Sequence, residues 1–557
     1  MKTLVRGRVL TFHADPADSA ENHDYHENGA ILIDDGRVVA VGDHADIASR
    51  PDAAAAVEID HRPHIVMPGF IDPHIHFPQV QVIASWGEQL LDWLNTYTFP
   101  AELRFADPGH AGAMADAFLD LLLAHGTTTA CAFCSVHPAS AEALFAASQA
   151  RGMAMVAGKV MMDRNAPPEV LDTPQQGYDD SKALIDRWHG TGRQRYAITP
   201  RFAITSTPEQ LRAAGALVAE HPDLHVQTHL SENLAEIDFT LSLYPQARDY
   251  LDIYDRAGLL GPRTLMGHAI HLSARELARM AETGTRAIHC PTSNLFLGSG
   301  LFDDHAARAA GVATGVATDI GAGTSYSMLQ TLNEGYKILQ LRGQKLTPLS
   351  AFHWITRGNA MTLGMADQIG TLDPGSMADL VVLDVMLPDM DGLDVLERLR
   401  AHWSEMPAMF LTAKDATEDR VAGLAAGSDD YVTKPFSMEE VLIRAHRLVQ
   451  RSGVVSGGSE VLVVGDLVMN TRTHEVTRGG VEITLTATEY ELLRYLMRNP
   501  KRVLSKAQIL DRVWNYDFGG QANVVELYIS YLRKKIDADR DPMIHTIRGA
   551  GYVIRPA

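Results

Sequence analysis

The stretch PGFIDPHIHFPQ, residues 68–79, decides the fold class of this 557-residue chain. Its apolar residues predict a β-strand ending at His74 and His76, whose side chains leave one face because strand side chains alternate. Seven more apolar segments follow through residue 319, separated by longer helical patterns. Eight such alternations over about 300 residues predict an α/β fold, a (β/α)8 TIM barrel.

Side chains able to bind metal recur where the predicted strands end. His229 lies in QTHLSE, His268 in LMGHAI and Asp319 in ATDIG. Barrel enzymes place their active sites at this end of the strands. Imidazole and carboxylate groups suit zinc, which acidifies water enough to generate hydroxide near neutral pH. With His74 and His76, these residues predict a metal hydrolase rather than isolated surface or core histidines.

Five motifs together resemble the guanine deaminases of the amidohydrolase superfamily: PGFIDPHIHFPQ, LLDWLNTYTFPAE, HLSEN, SNLFLGSG and TDIGAGTS. The resemblance covers roughly residues 1–385 and includes substrate-side motifs as well as the metal ligands. It implies conversion of guanine to xanthine and ammonia. It also implies a single zinc ion per chain, held by three histidines and a carboxylate: His74, His76, His229 and Asp319.

The resemblance further implies how protons move during the reaction. Glu232 would carry a proton from the attacking water to the purine ring, while Asp319 helps to deprotonate that water and His268 lies near the leaving group. This is general acid–base catalysis beside a metal. The residues implied to contact the purine are Gln79, Arg201, Phe202 and His268. The residues alone leave open a strand-end carboxylate for Glu232, a surface ion pair for Arg201 and a loop position for Gln79.

A second resemblance begins at DLVVLDVMLPDMDG, residues 379–392, and continues in FLTAKD and YVTKPF. These segments resemble the receiver domain of response regulators, which has a flavodoxin-like fold. The resemblance matches Asp384 to the phosphate-accepting aspartate, with Thr412 and Lys434 around the phosphoryl group. The receiver is partial, because no Asp or Glu occurs between Glu334 and Asp367, where its magnesium-binding acidic pair belongs. Without that pair we expect no phosphoryl transfer to Asp384.

Residues 461–557 resemble the winged-helix effector domain of the OmpR/PhoB class. An apolar stripe at helical spacing, from Val525 through Tyr528, Ile529 and Leu532 to Ile536, predicts the buried face of one helix. The side chains off that stripe are expected in the DNA major groove, and an arginine in the predicted wing is expected near a phosphate or the minor groove. These DNA contacts are Asn523, Ser530, Arg533, Lys534 and Arg548.

The sequence therefore predicts a fusion in which two domains share the segment DLVVLD, residues 379–384. The amidohydrolase would lack its last strands and the receiver its first half. The predicted domains are a small β-sandwich domain (1–64 and 366–384, truncated at its C-terminal end), the metal-dependent barrel (65–365), the partial receiver (379–451), a linker (452–460) and the winged helix-turn-helix domain (461–557).

Composition limits the remaining function classes. Three cysteines in 557 residues exclude a disulfide framework and favour a reducing cytoplasm. The net charge of −20 disfavours non-specific nucleic-acid binding by the whole chain, and no apolar run predicts a membrane span. The leading hypothesis is a guanine deaminase that carries a DNA-binding module, with a homodimer as the expected assembly. Two alternatives are a DNA-binding regulator with a passenger amidohydrolase, and an amidohydrolase acting on another aromatic amine.

Overall fold

The computed structural model divides the chain into two compact units, Met1–Pro388 and Asp389–Ala557. The described residues are 2–86, 90–384, 409–412, 430–433, 461–471, 475–483, 485–514, 523–538, 540–547 and 551–556. Among the helices described, none is both long and apolar enough to cross a membrane.

A five-stranded sheet opens the first unit. Its first four strands are β1 (Lys2–Phe12), β2 (His23–Asp34), β3 (Arg37–Asp43) and β4 (Val57–Pro68). The fifth is β14 (Leu380–Leu383), which pairs antiparallel with β4, so the strand order is β14-β4-β1-β2-β3. Four of the six residues of the shared segment DLVVLD are therefore a strand of this sheet.

Nine strands form the second sheet of this unit, and every pairing within it is parallel. They are β5 (Phe70–His76), β6 (Thr127–Phe133), β7 (Ala154–Gly158), β8 (Val160–Met161), β9 (Gln194–Pro200), β10 (His225–Leu230), β11 (Thr264–His268), β12 (Arg286–His289) and β13 (Thr314–Val316). The chain after β13 returns to β5: Asp319 N donates to His74 O at 3.0 Å, and His76 N donates to Ile320 O at 2.7 Å. These bonds join the two ends of the sheet, and the predicted barrel is confirmed.

Helices follow the barrel strands along the chain. Those of the first unit are α1 (His44–Ala48), α2 (Leu90–Trp93), α3 (Phe99–Leu103), α4 (Pro108–Ala124), α5 (Pro138–Ala150), α6 (Pro174–Trp188), α7 (Pro208–Glu220), α8 (Leu234–Leu243), α9 (Tyr250–Arg256), α10 (Ala274–Thr283), α11 (Pro291–Phe296), α12 (Asp304–Ala309), α13 (Met328–Leu341), α14 (Pro348–His353) and α15 (Asn359–Thr362). Their ends are set locally. For example, α10 begins with a capping box between Ser273 and Glu276 and ends at Gly284, whose φ of 73° suits glycine.

The barrel strands are almost wholly buried because both of their faces are covered. Every residue of β7 and β10 is buried, as parallel strands under surrounding helices require. Large side chains such as Phe118, Phe145 and Tyr196 fill the layer beneath the helices. This packing fixes the strand ends, and therefore the side chains that the ends carry.

The second unit contains a parallel pair and a winged-helix fold. The pair is β15 (Met409–Thr412) with β16 (Asp430–Thr433). The winged-helix region comprises β17 (Val461–Val464), β18 (Leu467–Asn470), β19 (Val476–Arg478), β20 (Val481–Glu482), α16 (Ala487–Arg498), α17 (Lys506–Trp514), α18 (Asn523–Ile536), β21 (Ile544–Ile547) and β22 (Gly551–Ile554). Most of the predicted partial receiver (379–451) and all of the predicted linker (452–460) lie outside the described residues.

The apolar stripe predicted on α18 packs into the core of the winged-helix region. Val525, Ile529, Leu532 and Ile536 are buried, and Tyr528 is half-buried against them. The same core includes the hairpin residues Ile544, Tyr552 and Ile554. One helix and the terminal hairpin are thereby held together.

Candidate active site and DNA-binding face

The C-terminal ends of β5 and β10 and the segment that follows β13 bring three histidines and a carboxylate together. His76 Nε2 lies 3.1 Å from His229 Nε2. Asp319 Oδ1 lies 3.4 Å from both His74 Nε2 and His76 Nε2. Atoms placed tetrahedrally around zinc at about 2.0–2.1 Å are roughly 3.3–3.4 Å apart. These three separations are close to that spacing, and the four ligand atoms all lie within 4.8 Å of one another, so the cluster could hold a metal ion.

The protonation states of these four residues suit a cation. Burial lowers the pKa of His74 and holds those of His76 and His229 well below the ordinary value. Burial opposes ionisation of Asp319, but the nearby histidines outweigh it and keep its pKa low. Neutral imidazoles and an ionised carboxylate are the forms that coordinate metal.

Unpaired ring nitrogens support the same conclusion. His74 is fully buried, and neither of its nitrogens has a hydrogen-bond partner within the described parts of the chain. Such atoms are costly unless a ligand satisfies them. His229 Nδ1 donates to Arg201 O at 2.7 Å, which turns Nε2 toward the other ligands. The residues present therefore fit a bound metal ion.

A second possible ligand group combines His74, His268 and Asp319 with Cys290. Burial raises the pKa of the Cys290 thiol well above its ordinary value, so the thiol stays protonated. A protonated thiol is a poor metal ligand. The set with His76 and His229 therefore fits a cation better.

The ring of Phe133 and the glycine at 267 shape the ligand cluster, and sequence reasoning did not single them out. Phe133 packs against His74, His76 and His229, with ring centroids 4.9, 4.5 and 4.8 Å away. A Cβ at Gly267 would lie 2.4 Å from a His74 ring atom. Any larger residue at position 267 would displace the His74 ring, so the cluster requires glycine there.

Glu232 and His268 lie beside the ligand cluster as a pair. Glu232 Oε2 is 3.4 Å from His268 Nε2, and both side chains are buried. Burial raises the pKa of Glu232 to about 7, although His268 opposes the shift. Burial lowers the pKa of His268, but Glu232 and Asp319 reverse that effect and raise it. A carboxyl group with such a pKa can both take and give a proton near neutral pH.

The segment SNLFLGSG holds this pair in place. Ser299 Oγ donates to Glu232 Oε1 at 3.0 Å. His268 Nδ1 lies 2.8 Å from Asn294 Oδ1, which can only accept, so that nitrogen carries the proton and Nε2 faces Glu232. The motif belongs to the sequence resemblance, but the roles of Ser299 and Asn294 were not predicted.

The predicted purine-contacting residues line one pocket with the ligand cluster. Its lining comprises His76, Gln79, Leu90, Trp93, Leu94, Arg201, Phe202, His229, Glu232, His268, Leu297, Asp319 and Ala322. The walls are apolar, and a few polar groups converge on the interior, as ligand sites require. Arg201 is buried, with its guanidinium against Glu102, so the alternative of a surface ion pair is wrong.

Backbone strain concentrates at this site. Ser231, His268 and Asp319 have φ angles of 49°, 65° and 52°. Residues with side chains rarely adopt this left-handed region, and such strain clusters where function demands a fixed geometry.

The predicted DNA-binding residues of α18 differ in how accessible they are. Ser530 and Lys534 are exposed. Arg533 is tied to the hairpin: Nε donates to Ile544 O at 3.0 Å and Nη2 to Thr546 Oγ1 at 2.8 Å. The side chain of Asn523, and Arg548 altogether, lie outside the described residues.

The predicted phosphate-accepting residue lies at the end of β14 in the first unit. Asp384 Oδ1 is 3.1 Å from His64 Nδ1 of β4, and its side chain is exposed. Thr412 ends β15, and Lys434 lies outside the described residues.

Comparison with known proteins identifies relatives of the barrel region. Residues 65–422 match the model of the amidohydrolase family. The guanine deaminase of Escherichia coli (strain K12) is 48% identical over 369 residues, 66% of this chain and 84% of that protein. The chain belongs to the amidohydrolase family. A solved guanine deaminase from C. acetobutylicum, with guanine bound in its active site, matches with a TM-score of 0.64 at 28% identity, covering 72% of this chain and 96% of that one.

This amidohydrolase also has relatives of another kind. Residues 480–554 match the family model described as the C-terminal domain of transcriptional regulatory proteins. The probable transcriptional regulatory protein TcrX of Mycobacterium tuberculosis is 67% identical over 181 residues, 32% of this chain and 77% of that protein. The predicted fusion of an amidohydrolase with part of a response regulator is confirmed.

Proposed function

We propose that the barrel region hydrolyses guanine to xanthine and ammonia and uses a single zinc ion per chain. One observation carries this proposal: the cluster of possible metal ligands and Glu232 line the same pocket. Two relatives over this region, 48% and 40% identical, are named guanine deaminase and probable guanine deaminase. When bound, zinc would supply a Lewis acid that polarises the reacting groups and favours hydroxide over water.

The chain's own residues then handle the protons. Asp319 and Glu232 accept a proton as water adds to the ring carbon bearing the amine. Glu232, through Oε2, returns a proton to the neighbouring ring nitrogen, and a further proton leaves with the amine as ammonia. Guanine and water thus give xanthine and ammonia, with every atom accounted for. Ser299 keeps Glu232 within reach during both transfers.

The decisive experiment compares two buried glutamates in the full chain. Glu232→Gln should retain zinc, measured by elemental analysis, but lower kcat for ammonia release from guanine roughly a thousandfold. Glu276→Gln is the control, because Glu276 is equally buried but caps α10. Guanine should be a better substrate than adenine or cytosine. Full activity of the Glu232 variant would refute the proton shuttle, and release from another aromatic amine alone would favour that alternative.

A second function concerns the winged-helix region. We propose that it binds DNA through α18, with Lys534 and Ser530 facing the duplex. The exposed basic end of this helix and the matched regulatory family support the proposal. Band-shift assays at several salt concentrations test it, since phosphate contacts weaken as salt rises. The homodimer and the cytoplasmic location stay predictions, and light scattering of the purified chain tests the first.

A further inference from the structure

Glu102, on α3, joins two polar groups that come from other parts of the barrel. Its Oε1 and Oε2 accept from Arg201 Nη1 at 2.7 and 2.8 Å. Its Oε1 also accepts from Gln79 Nε2 at 3.1 Å. Glu102 is 1% exposed and Arg201 2%, so solvent does not screen this ion pair.

The carboxylate of Glu102 contacts only groups that line the pocket. Its three hydrogen bonds go to Arg201 and Gln79, and within the described parts of the chain no other side chain donates to it. Ser135 bonds to its backbone oxygen instead. A carboxylate with a purely structural role would be expected to bond to the helices and strands of the barrel, and not only to residues that line the pocket.

The other end of Gln79 is also fixed. Its Oε1 accepts from Gly321 N at 3.1 Å, so the amide cannot turn over without losing both bonds. A Cβ at Gly321 would lie 2.8 Å from Gln79 Cβ, so glycine is required for this approach. Gln79 Nε2 therefore keeps one N–H that no described residue accepts, while its Oε1 is already held by Gly321 N.

Arg201 contributes only donors as well. A guanidinium has no acceptor, and none of the described residues accepts from its Nε or Nη2. This wall of the pocket therefore presents several N–H donors that no described residue satisfies. A ring carbonyl satisfies such donors, whereas a C–H leaves them buried and unpaired.

We propose that Glu102 is a positioning residue that fixes Gln79 and Arg201, and so makes the site specific for aromatic amines with a carbonyl at this edge. The inference rests on the proposed deaminase function and deepens it. Guanine and 2-aminopurine carry the same amine, but 2-aminopurine lacks the ring carbonyl. The change in their kcat/KM ratio from wild type to a variant reports on this wall, because the intrinsic difference in reactivity between the two compounds is the same for every variant.

The test measures that ratio in the full chain with two variants. Glu102→Gln puts a donor where Arg201 and Gln79 need an acceptor, and should raise KM for guanine roughly tenfold or more. Glu102→Asp preserves the buried charge but is too short to reach both partners. In both variants the preference for guanine over 2-aminopurine should fall at least about tenfold. Zinc content should stay unchanged, and Glu276→Gln is the matched control.

Two results would overturn the inference. Either both variants keep the wild-type preference, or a crystal structure of Glu102→Asp shows Arg201 and Gln79 in their present positions. The crystal structure needs no substrate. If the wild-type chain turns over neither compound, the proposed function fails, and displacement of the two side chains still decides the role of Glu102.

Discussion

Two buried arginines, one in each unit, show how a functional site differs from a structural network. Arg478 is 2% exposed and uses all its nitrogens: Nε donates to Asp466, Nη1 to Ile536 O and Asp537, and Nη2 to Asp541 O. Arg201 is equally buried, but only its Nη1 has acceptors among the described residues. The saturated arginine holds a fold together, while the unsaturated one lines a pocket. Unused hydrogen-bonding capacity in a buried group therefore indicates a ligand.

Metal removal should have the largest effect, and in one unit only. Neither ring nitrogen of His74 makes a hydrogen bond to a described residue, as expected of metal ligands, so dialysis against a chelator should abolish ammonia release. Restoring zinc at a thousand times its Kd should stabilise the first unit by about 4 kcal/mol. Hydrogen exchange with mass spectrometry locates the change. Slower exchange in residues 461–547 on adding zinc would contradict this division.

Loss of the saturated arginine should act on the other unit. Arg478→Ala removes the donor to the buried carbonyl of Ile536 and to the largely buried carboxylate of Asp537, so the winged-helix region should lose about 3 kcal/mol of stability. Turnover of guanine should not change. Arg494→Ala is the control, because its partner Glu491 is on the surface and the pair contributes at most about 1 kcal/mol. Denaturant melts followed by hydrogen exchange measure the stability of both variants. An equal loss of stability in the two would contradict the prediction.

The repeated alternation of strand and helix segments was predictable from the sequence, whereas contacts between distant segments were not. Each of the eight predicted strand segments contains a strand of the barrel, as at Thr127–Phe133 and His225–Leu230. Residues at strand ends meet by topology, so the metal ligands were predictable. Glu102, Asn294 and Ser299 lie on a short helix and in the segment from α11 onward. The contacts of these residues with the site depend on how their segments pack over the barrel, and no local sequence pattern predicts that packing.

Motif membership was nevertheless a signal. Glu102 ends the quoted motif LLDWLNTYTFPAE, and Asn294 and Ser299 lie within SNLFLGSG. In the winged helix, periodicity predicted the buried face of α18 but not that Arg533 binds the hairpin. A helical pattern indicates which side chains leave the core, and only tertiary structure shows which of them meet another element.

A smaller effect should distinguish two neighbouring lysines on α18. Lys534 is exposed and pairs with no described residue, whereas Lys535 Nζ lies 2.6 Å from Glu489 Oε2. Lys534→Ala should weaken DNA binding a few-fold and reduce the slope of log affinity against log salt by about 0.9. Lys535→Ala should leave the slope unchanged. Fluorescence anisotropy at four salt concentrations measures both, and equal slopes for the two variants would remove Lys534 from the DNA-binding face.

Phosphodonors should have no effect at all. Asp384 belongs to β14, paired with β4 in the sheet of the amidohydrolase region, and its carboxylate lies 3.1 Å from His64. The described residues that could group around a cation include Asp319 but not Asp384. Phosphoryl transfer needs magnesium to neutralise the developing charge, and this aspartate lacks the acidic pair that binds it. Incubation with acetyl phosphate and magnesium should therefore leave the intact mass and the DNA affinity unchanged. A stoichiometric phosphoryl group on Asp384, located by peptide mapping, would mean that this aspartate can also reach a receiver-like arrangement, and that β14 is not committed to the amidohydrolase sheet.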